Sequence, residues 1–206
     1  MHARGIVVLG LAGLLLASAV AAEEGWREIV RQDGVVVETR PGSDGMTVVR
    51  GTTLLDRRLE TVRAVLLDLE GFPGWIPGLS VWTVLDRGAR EAVVHGRHRL
   101  PWPFADRDYV VRYTLAVEDG RFSLEARSTT GAGPEPAPGV VRLVAVHSIW
   151  ELRATGLDRC EVSYTYNGDL GGGVPAFVKG AAWKREAPQL FDGLRREILR
   201  REKAAG

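Results

Sequence analysis

The chain has 206 residues, of which 45% are hydrophobic and 26% charged, with 27 basic against 26 acidic side chains. That length suits one domain, and the ordinary composition excludes a disordered or collagen-like chain. The near-zero net charge argues against nucleic acid as a partner, because displacing counterions from phosphates needs a basic surface.

Met1–Arg4 is basic, Gly5–Ala22 runs 18 residues without a charge, and small residues at 17–22 precede Glu23-Glu24. A basic start, a short apolar centre and a small-residue exit predict a secretory signal peptide over 1–22, cleaved after Ala21 or Ala22. The alternative is an uncleaved anchor, since 18 residues approach the length needed to span a bilayer. The expectation is therefore a periplasmic or secreted protein with one domain over 23–206. Cys160 is the only cysteine, so no internal disulfide can form and the fold must rest on its core.

Trp26–Gln32 reads as a short helix or arm. Val35–Arg40 is rich in β-branched residues, 41–45 is turn chemistry, and Met46–Leu55 returns as a second strand. Arg58–Leu69 is helical, with Leu59, Val62, Val65, Leu66 and Leu69 on one stripe. Asp56 is placed to cap this helix, and Gly71 and Pro73 to stop it. The period then becomes two. Val81–Leu85, the stretch from Ala92, Tyr109–Val117 and Phe122–Ser128 read as consecutive strands with tight turns at Gly88 and Asp119-Gly120. After a proline-bearing loop at 131–139, Val140–Leu152 and Cys160–Leu170 are two more strands, and Gly171–Gly173 ends the sheet. A long helix from Val174 to Glu202 closes the chain, with Phe177, Ala181, Pro188, Phe191 and Ile198 on one broad face and a kink expected at Pro188. One helix cannot cover a strongly curved sheet face to face, so this order predicts an interior cavity.

Four stretches then carry a resemblance. They are Asp106-Arg107-Asp108-Tyr109-Val110, Gly139-Val140-Val141-Arg142 with Ser128-Thr129 upstream, Asp169-Leu170-Gly171 through Val174-Pro175 with Leu194-Arg195 in the helix beyond, and the Trp75 and Pro77 stretch. In this order, over about 26–200, the chain resembles the START family, the steroidogenic acute regulatory protein-related lipid transfer domains. The resemblance implies the helix-grip, Bet v 1-like, α+β fold: a curved antiparallel sheet of about eight or nine strands wrapped around a long C-terminal helix. It implies one enclosed lipid or other small hydrophobic ligand, a lid made of the terminal helix and a neighbouring loop, and no cofactor.

Alternation along the strand opened by Arg107 puts Arg107, Tyr109, Val111, Tyr113, Leu115 and Val117 on the apolar face, so Arg107 points inward. An unpaired buried guanidinium is costly. In the family the matching arginine pairs with an acid on the preceding strand, but Gly96 stands at that place here. Asp106 or Glu91 substitutes, or Arg107 binds a ligand anion, or it ties strand to loop; the sequence leaves these open. His95 and His98, three apart on a strand, face opposite ways and cannot easily share a metal. His98 is the one placed toward the cavity, while His147 has no assignable orientation. Trp102 and Phe104 form an aromatic corner that either walls the cavity or anchors the bend. Tyr164 and Tyr166 share a parity and either meet the ligand or pack the core, as do Trp75, Trp150 and Trp183. Phe177 and Ala181 complete the candidate ligand-binding set. The loop 131–139 and the helix from Val174 are expected to bracket one end of the cavity, with Gly171–Gly173 as hinge.

No Gly-x-Ser-x-Gly, His-Glu-x-x-His, phosphate loop or dinucleotide fingerprint occurs in the sequence. The leading expectation is an exported, monomeric carrier of one hydrophobic ligand, in transient contact with membranes. The alternatives are a helix-grip enzyme, cyclase- or hydrolase-like, using scattered groups such as His98 and Asp106, and an adaptor with a filled interior.

Overall fold

The computed structural model describes residues 25–206 except 44, 170, 172, 173 and 175, with the side chains of 176–180 also left out. The predicted signal peptide lies outside the described residues. Strands β1 (Arg27–Gln32), β2 (Val35–Pro41) and β3 (Thr47–Leu55) come first, followed by helix α1 (Leu59–Leu67) and a 3₁₀ segment, Leu69–Gly74. Seven strands follow: β4 (Leu79–Arg87), β5 (Glu91–His98), β6 (Arg107–Glu118), β7 (Arg121–Ser128), β8 (Val141–Leu143), β9 (Val146–Gly156) and β10 (Arg159–Gly168). Helix α2 (Ala176–Ala205) ends the chain.

All ten strands form one sheet in the order β1-β2-β3-β10-β9-β7-β6-β5-β4, with β8 beside the start of β6. The path pairs are antiparallel, whereas β8 runs parallel to β6, Arg107 opposite Val141. The sheet is open, with β1 and β4 at its edges, and curves around the two helices. This is the helix-grip α+β architecture expected from the sequence.

Three local expectations are corrected. Trp26–Gln32 is not a helix or arm: 27–32 pairs with β2, and Trp26 lies under the guanidinium groups of Arg40 and Arg50, 4.7 and 4.2 Å from its ring centroid. Val140–Leu152 is not one strand. β7 pairs with β6 only from Val111 onward, so the first residues of β6 are left to β8, and the chain breaks at an exposed Val144 before β9. Asp56 does not cap α1. Arg58 holds the cap position without a side-chain bond, and Asp56 pairs with Arg159 at 3.2 Å.

The core forms where α1 and α2 meet the concave face. α1 buries Leu59, Val62, Val65 and Leu66 at helical spacing. α2 buries Ala187, Phe191, Leu194 and Ile198, each large side chain contributing about 1.5–3 kcal/mol. Pro188 sits inside this helix. Gly193 lets α2 approach the backbone carbonyl of Trp75 so closely that a Cβ there would collide with it. Beyond it, Arg195 donates to Thr53 Oγ1 at 2.7 Å. Arg201 donates to the Asp68 carboxylate and, at 3.2 Å, to the Ala64 carbonyl. Buried Glu197 accepts from Arg200 and Arg201, each at 2.7 Å.

Candidate functional site

Between the concave face and the first half of α2 lies a cavity of about 480 Å³. That volume falls within the range of pockets that take one small ligand, about 300–1,000 Å³. β5 and β6 contribute His98, Arg107, Tyr109, Val111 and Tyr113, and β9 and β10 contribute Ser148, Trp150, Tyr164 and Tyr166. Trp183, Ala187 and Leu190 close it from α2, Phe72 and Trp82 from the side. Its mouth runs between Ile76–Gly78, Arg99–Pro101 and the α2 residues Arg185, Glu186 and Gln189. The two loops at the mouth are joined by Arg99 N–H donating to the Gly78 carbonyl at 2.9 Å.

All four tyrosines in the sequence line this space. Trp150 packs on Tyr164 with ring centroids 4.6 Å apart, and Tyr166 on Trp183 at 5.0 Å. Burial raises the pKa of every one of these phenols, and a hydrogen bond from Ser148 only partly opposes the rise at Tyr164. All four are therefore neutral hydroxyls at physiological pH. His98 Nδ1 lies 3.2 Å from the Tyr109 hydroxyl, and burial lowers its pKa to about 4, so it too is uncharged. The ring of Tyr109 lies across Gly96 in the register opposite it. A Cβ at Gly96 would stand 2.6 Å from that ring. The Tyr109 ring thus occupies the space that an acidic side chain at position 96 would need.

Arg107 is buried and lines the cavity. Its guanidinium donates to the carbonyl of Ala105, and to that of Gly171 at 3.2 Å. The two carboxylates considered as partners are engaged elsewhere: Asp106 with Arg97 at 2.7 Å, Glu91 with Arg112 at 3.0 Å.

Of the candidate residues, Arg107, Tyr109, Tyr113, His98, Tyr164 and Tyr166 are brought together around the cavity. Trp102 and Phe104 are not among the lining residues; Trp102 is 92% exposed at the tip of its loop. Ala181 is exposed, because the face of α2 turned toward the sheet carries Ala182, Trp183, Glu186, Ala187 and Leu190, about 100° away per residue. The Phe177 side chain lies outside the described residues, as do Gly172 and Gly173 of the expected hinge. Trp75 belongs to the core, 6.0 Å from Trp150 centroid to centroid, and not to the cavity lining.

The loop 131–139 does not bracket the cavity. Gly133 packs on Val110 and Leu85, on the outer face of the sheet. Arg142 holds it there, donating to the Pro134 carbonyl at 2.7 Å. Arg142 also makes two bonds to buried Asp108, at 2.9 and 2.8 Å. His95 completes this outer cluster, 3.2 Å from Asp108. Burial alone would raise the pKa of Asp108, but the bonds from Arg142 and His95 outweigh it and hold the carboxylate below its usual range. His147 also faces outward, 2.7 Å from Glu125.

Sequence reasoning missed Phe72, Trp82, Ser148 and Leu190 as cavity residues. Two were legible: Trp82 shares its parity with Val84 on β4, and Ser148 with Trp150 on β9.

The START domain family pattern matches residues 8–204. The chain is 27% identical over 174 residues to an uncharacterized protein of Pseudomonas aeruginosa, covering 83% of this chain and 82% of that one. Among solved structures, it superposes on a STAR-related lipid transfer protein from Xanthomonas axonopodis with a TM-score of 0.75 at 22% identity, covering 85% of this chain and 99% of that chain. An aromatase/cyclase from a Streptomyces species matches with a TM-score of 0.60 at 19% identity, covering 78% of this chain and 98% of that chain. With an apolar cavity gripped between a curved sheet and a terminal helix, and a family pattern spanning nearly its whole length, the chain belongs to the START domain family.

Proposed function

We propose that this protein is exported, encloses one hydrophobic ligand in its cavity and carries it to an acceptor membrane. The observation that supports this reading is the cavity itself, about 480 Å³ walled mainly by aromatic and aliphatic side chains. Arg107, Tyr109, Tyr113, His98, Tyr164 and Tyr166 meet the ligand. The gate is the mouth between the first half of α2 and the loop 99–104, and Trp102 at that loop's tip is the group that enters the lipid interface, where tryptophan is favoured.

A catalytic role finds less support in the same side chains. A general acid or base works best with a pKa near the operating pH. His98 at about 4 and four phenols raised by burial stand far from neutrality. Native mass spectrometry of the protein purified from its own cell envelope tests the proposal. One bound hydrophobic molecule, passed unchanged to acceptor vesicles, is expected, with Trp102→Ala slowing transfer while leaving affinity intact. Release of a chemically altered molecule would replace the carrier reading with an enzymatic one.

A further inference from the structure

We propose that the cavity selects an uncharged, flat, polycyclic ligand bearing a hydroxyl or carbonyl oxygen, in preference to acyl-chain lipids, and that the tyrosine hydroxyls, Tyr166 foremost, anchor that oxygen. This rests on the reading that the cavity binds a hydrophobic ligand at all.

Three observations carry it. First, the walls are rings. The four tyrosines are joined by Phe72, Trp82, Trp150 and Trp183, and these rings lock one another: Phe72 stacks on Trp82 at 5.3 Å, Trp150 packs edge-on to Phe191 at 5.7 Å. Aromatic faces and edges gain from an offset or edge-to-face ring partner beyond the area buried. A flat polycycle supplies that partner and an alkyl chain does not. Ring side chains with two rotatable bonds, held by neighbouring rings, also present a fixed outline that suits a rigid guest and spares the ordering cost of a flexible one.

Second, apart from the guanidinium of Arg107, the polar side chains of the inner wall are neutral. The hydroxyls of Tyr109, Tyr113, Tyr164 and Tyr166, from β6 and β10, lie within electrostatic reach of one another, and Ser148 stands beside Tyr164. The guanidinium of Arg107 is already drawn to two backbone carbonyls. Moving an ionised carboxylate or phosphate into such surroundings costs far more than moving a hydroxyl or ketone.

Third, the hydroxyl of Tyr166 is buried without a hydrogen-bond partner among the described residues. A buried donor left unmade is costly, and native proteins rarely keep one without a reason. An oxygen on the ligand is that missing partner.

The test uses a matched pair of fluorescent probes, pyrene and hydroxypyrene, with palmitate and phosphatidylcholine vesicles as competitors. The protein should bind hydroxypyrene about tenfold more tightly than pyrene, the worth of roughly one net hydrogen bond. Tyr166→Phe should abolish that preference and unfold at a temperature no lower. Palmitate and phosphatidylcholine should displace hydroxypyrene only in large excess. A Tyr166→Phe protein that keeps the preference overturns the inference, as does displacement by equimolar palmitate or phosphatidylcholine; either result leaves the binding cavity standing. Failure of the folded protein to bind any of the four would overturn the cavity reading with it.

Discussion

Arg107 Nη2 donates to the carbonyl of Gly171 at 3.2 Å, so the first residue of β6 holds the segment that leads into α2. The same guanidinium takes the carbonyl of Ala105. A buried cavity residue thus doubles as a tether for the helix that covers the cavity.

Arg107→Leu strips both carbonyls of this donor inside the protein, where an unmade hydrogen bond costs about 1–3 kcal/mol. Urea unfolding should register a loss of that order, and a bound fluorescent ligand should leave faster than from the parent. Stability and release rate both unchanged would show that the tether holds nothing.

Gly96→Ala places a methyl group where the Tyr109 ring lies. The ring must swing toward the cavity or the strands must part, at a cost of about 1–3 kcal/mol, as for other overpacked sites. Ligand capacity should fall together with the melting temperature. A variant with parental affinity and stability would mean that the ring moves freely.

Acid should weaken the fold through His98. Unfolded, its imidazole takes up a proton near pH 6.5; folded, burial delays this to about pH 4. Between those values the unfolded state holds more protons, so stability falls as pH drops through this window and changes no further on that account below it. His98→Gln should flatten the fall between pH 6.5 and 4 in denaturant titrations. An equally steep profile in the variant would assign the loss to other groups.

Pro188 lacks the N–H that would bond the carbonyl of Lys184 inside α2, and an interior proline costs a helix about 3 kcal/mol relative to alanine. Pro188→Ala should raise the melting temperature and slow ligand exchange by stiffening the half of α2 that covers the cavity. Faster exchange from the alanine variant would contradict this.

Much of the site was legible because it is written in local alternation. The period of two along 107–117 and 162–166 placed Arg107 and all four tyrosines on the inner face, where the structure puts them. What was not legible depends on contacts distant in sequence. Asp108 shares its strand face with Val110 and reads as exposed, yet it is buried because the loop 131–139 and Arg142 fold across that face. The same docking removed the loop from the cavity mouth. The β1 segment, with Arg27, Glu28 and Arg31 around Ile29-Val30, suits a helix as well as a strand, and only its pairing with β2 decides. Ala181 failed by one residue of helical phase, a shift the sequence could not fix while the contact with Trp75 at Gly193 was unknown.

That contact, with the bonds of Arg195 and Arg201, clamps α2 on the far side of Pro188. The helix therefore resembles a cantilever, whose arm above the cavity rests Trp183 on the Tyr166 ring. Trp183 stands ten residues from Gly193, about 15 Å along the axis at 1.5 Å per residue. A tilt of roughly 10° at the fixed end lifts that tryptophan by about 2.6 Å, close to the width of a water molecule. Leverage of this kind would open a path to the interior while Phe191, Leu194 and Ile198 stay seated.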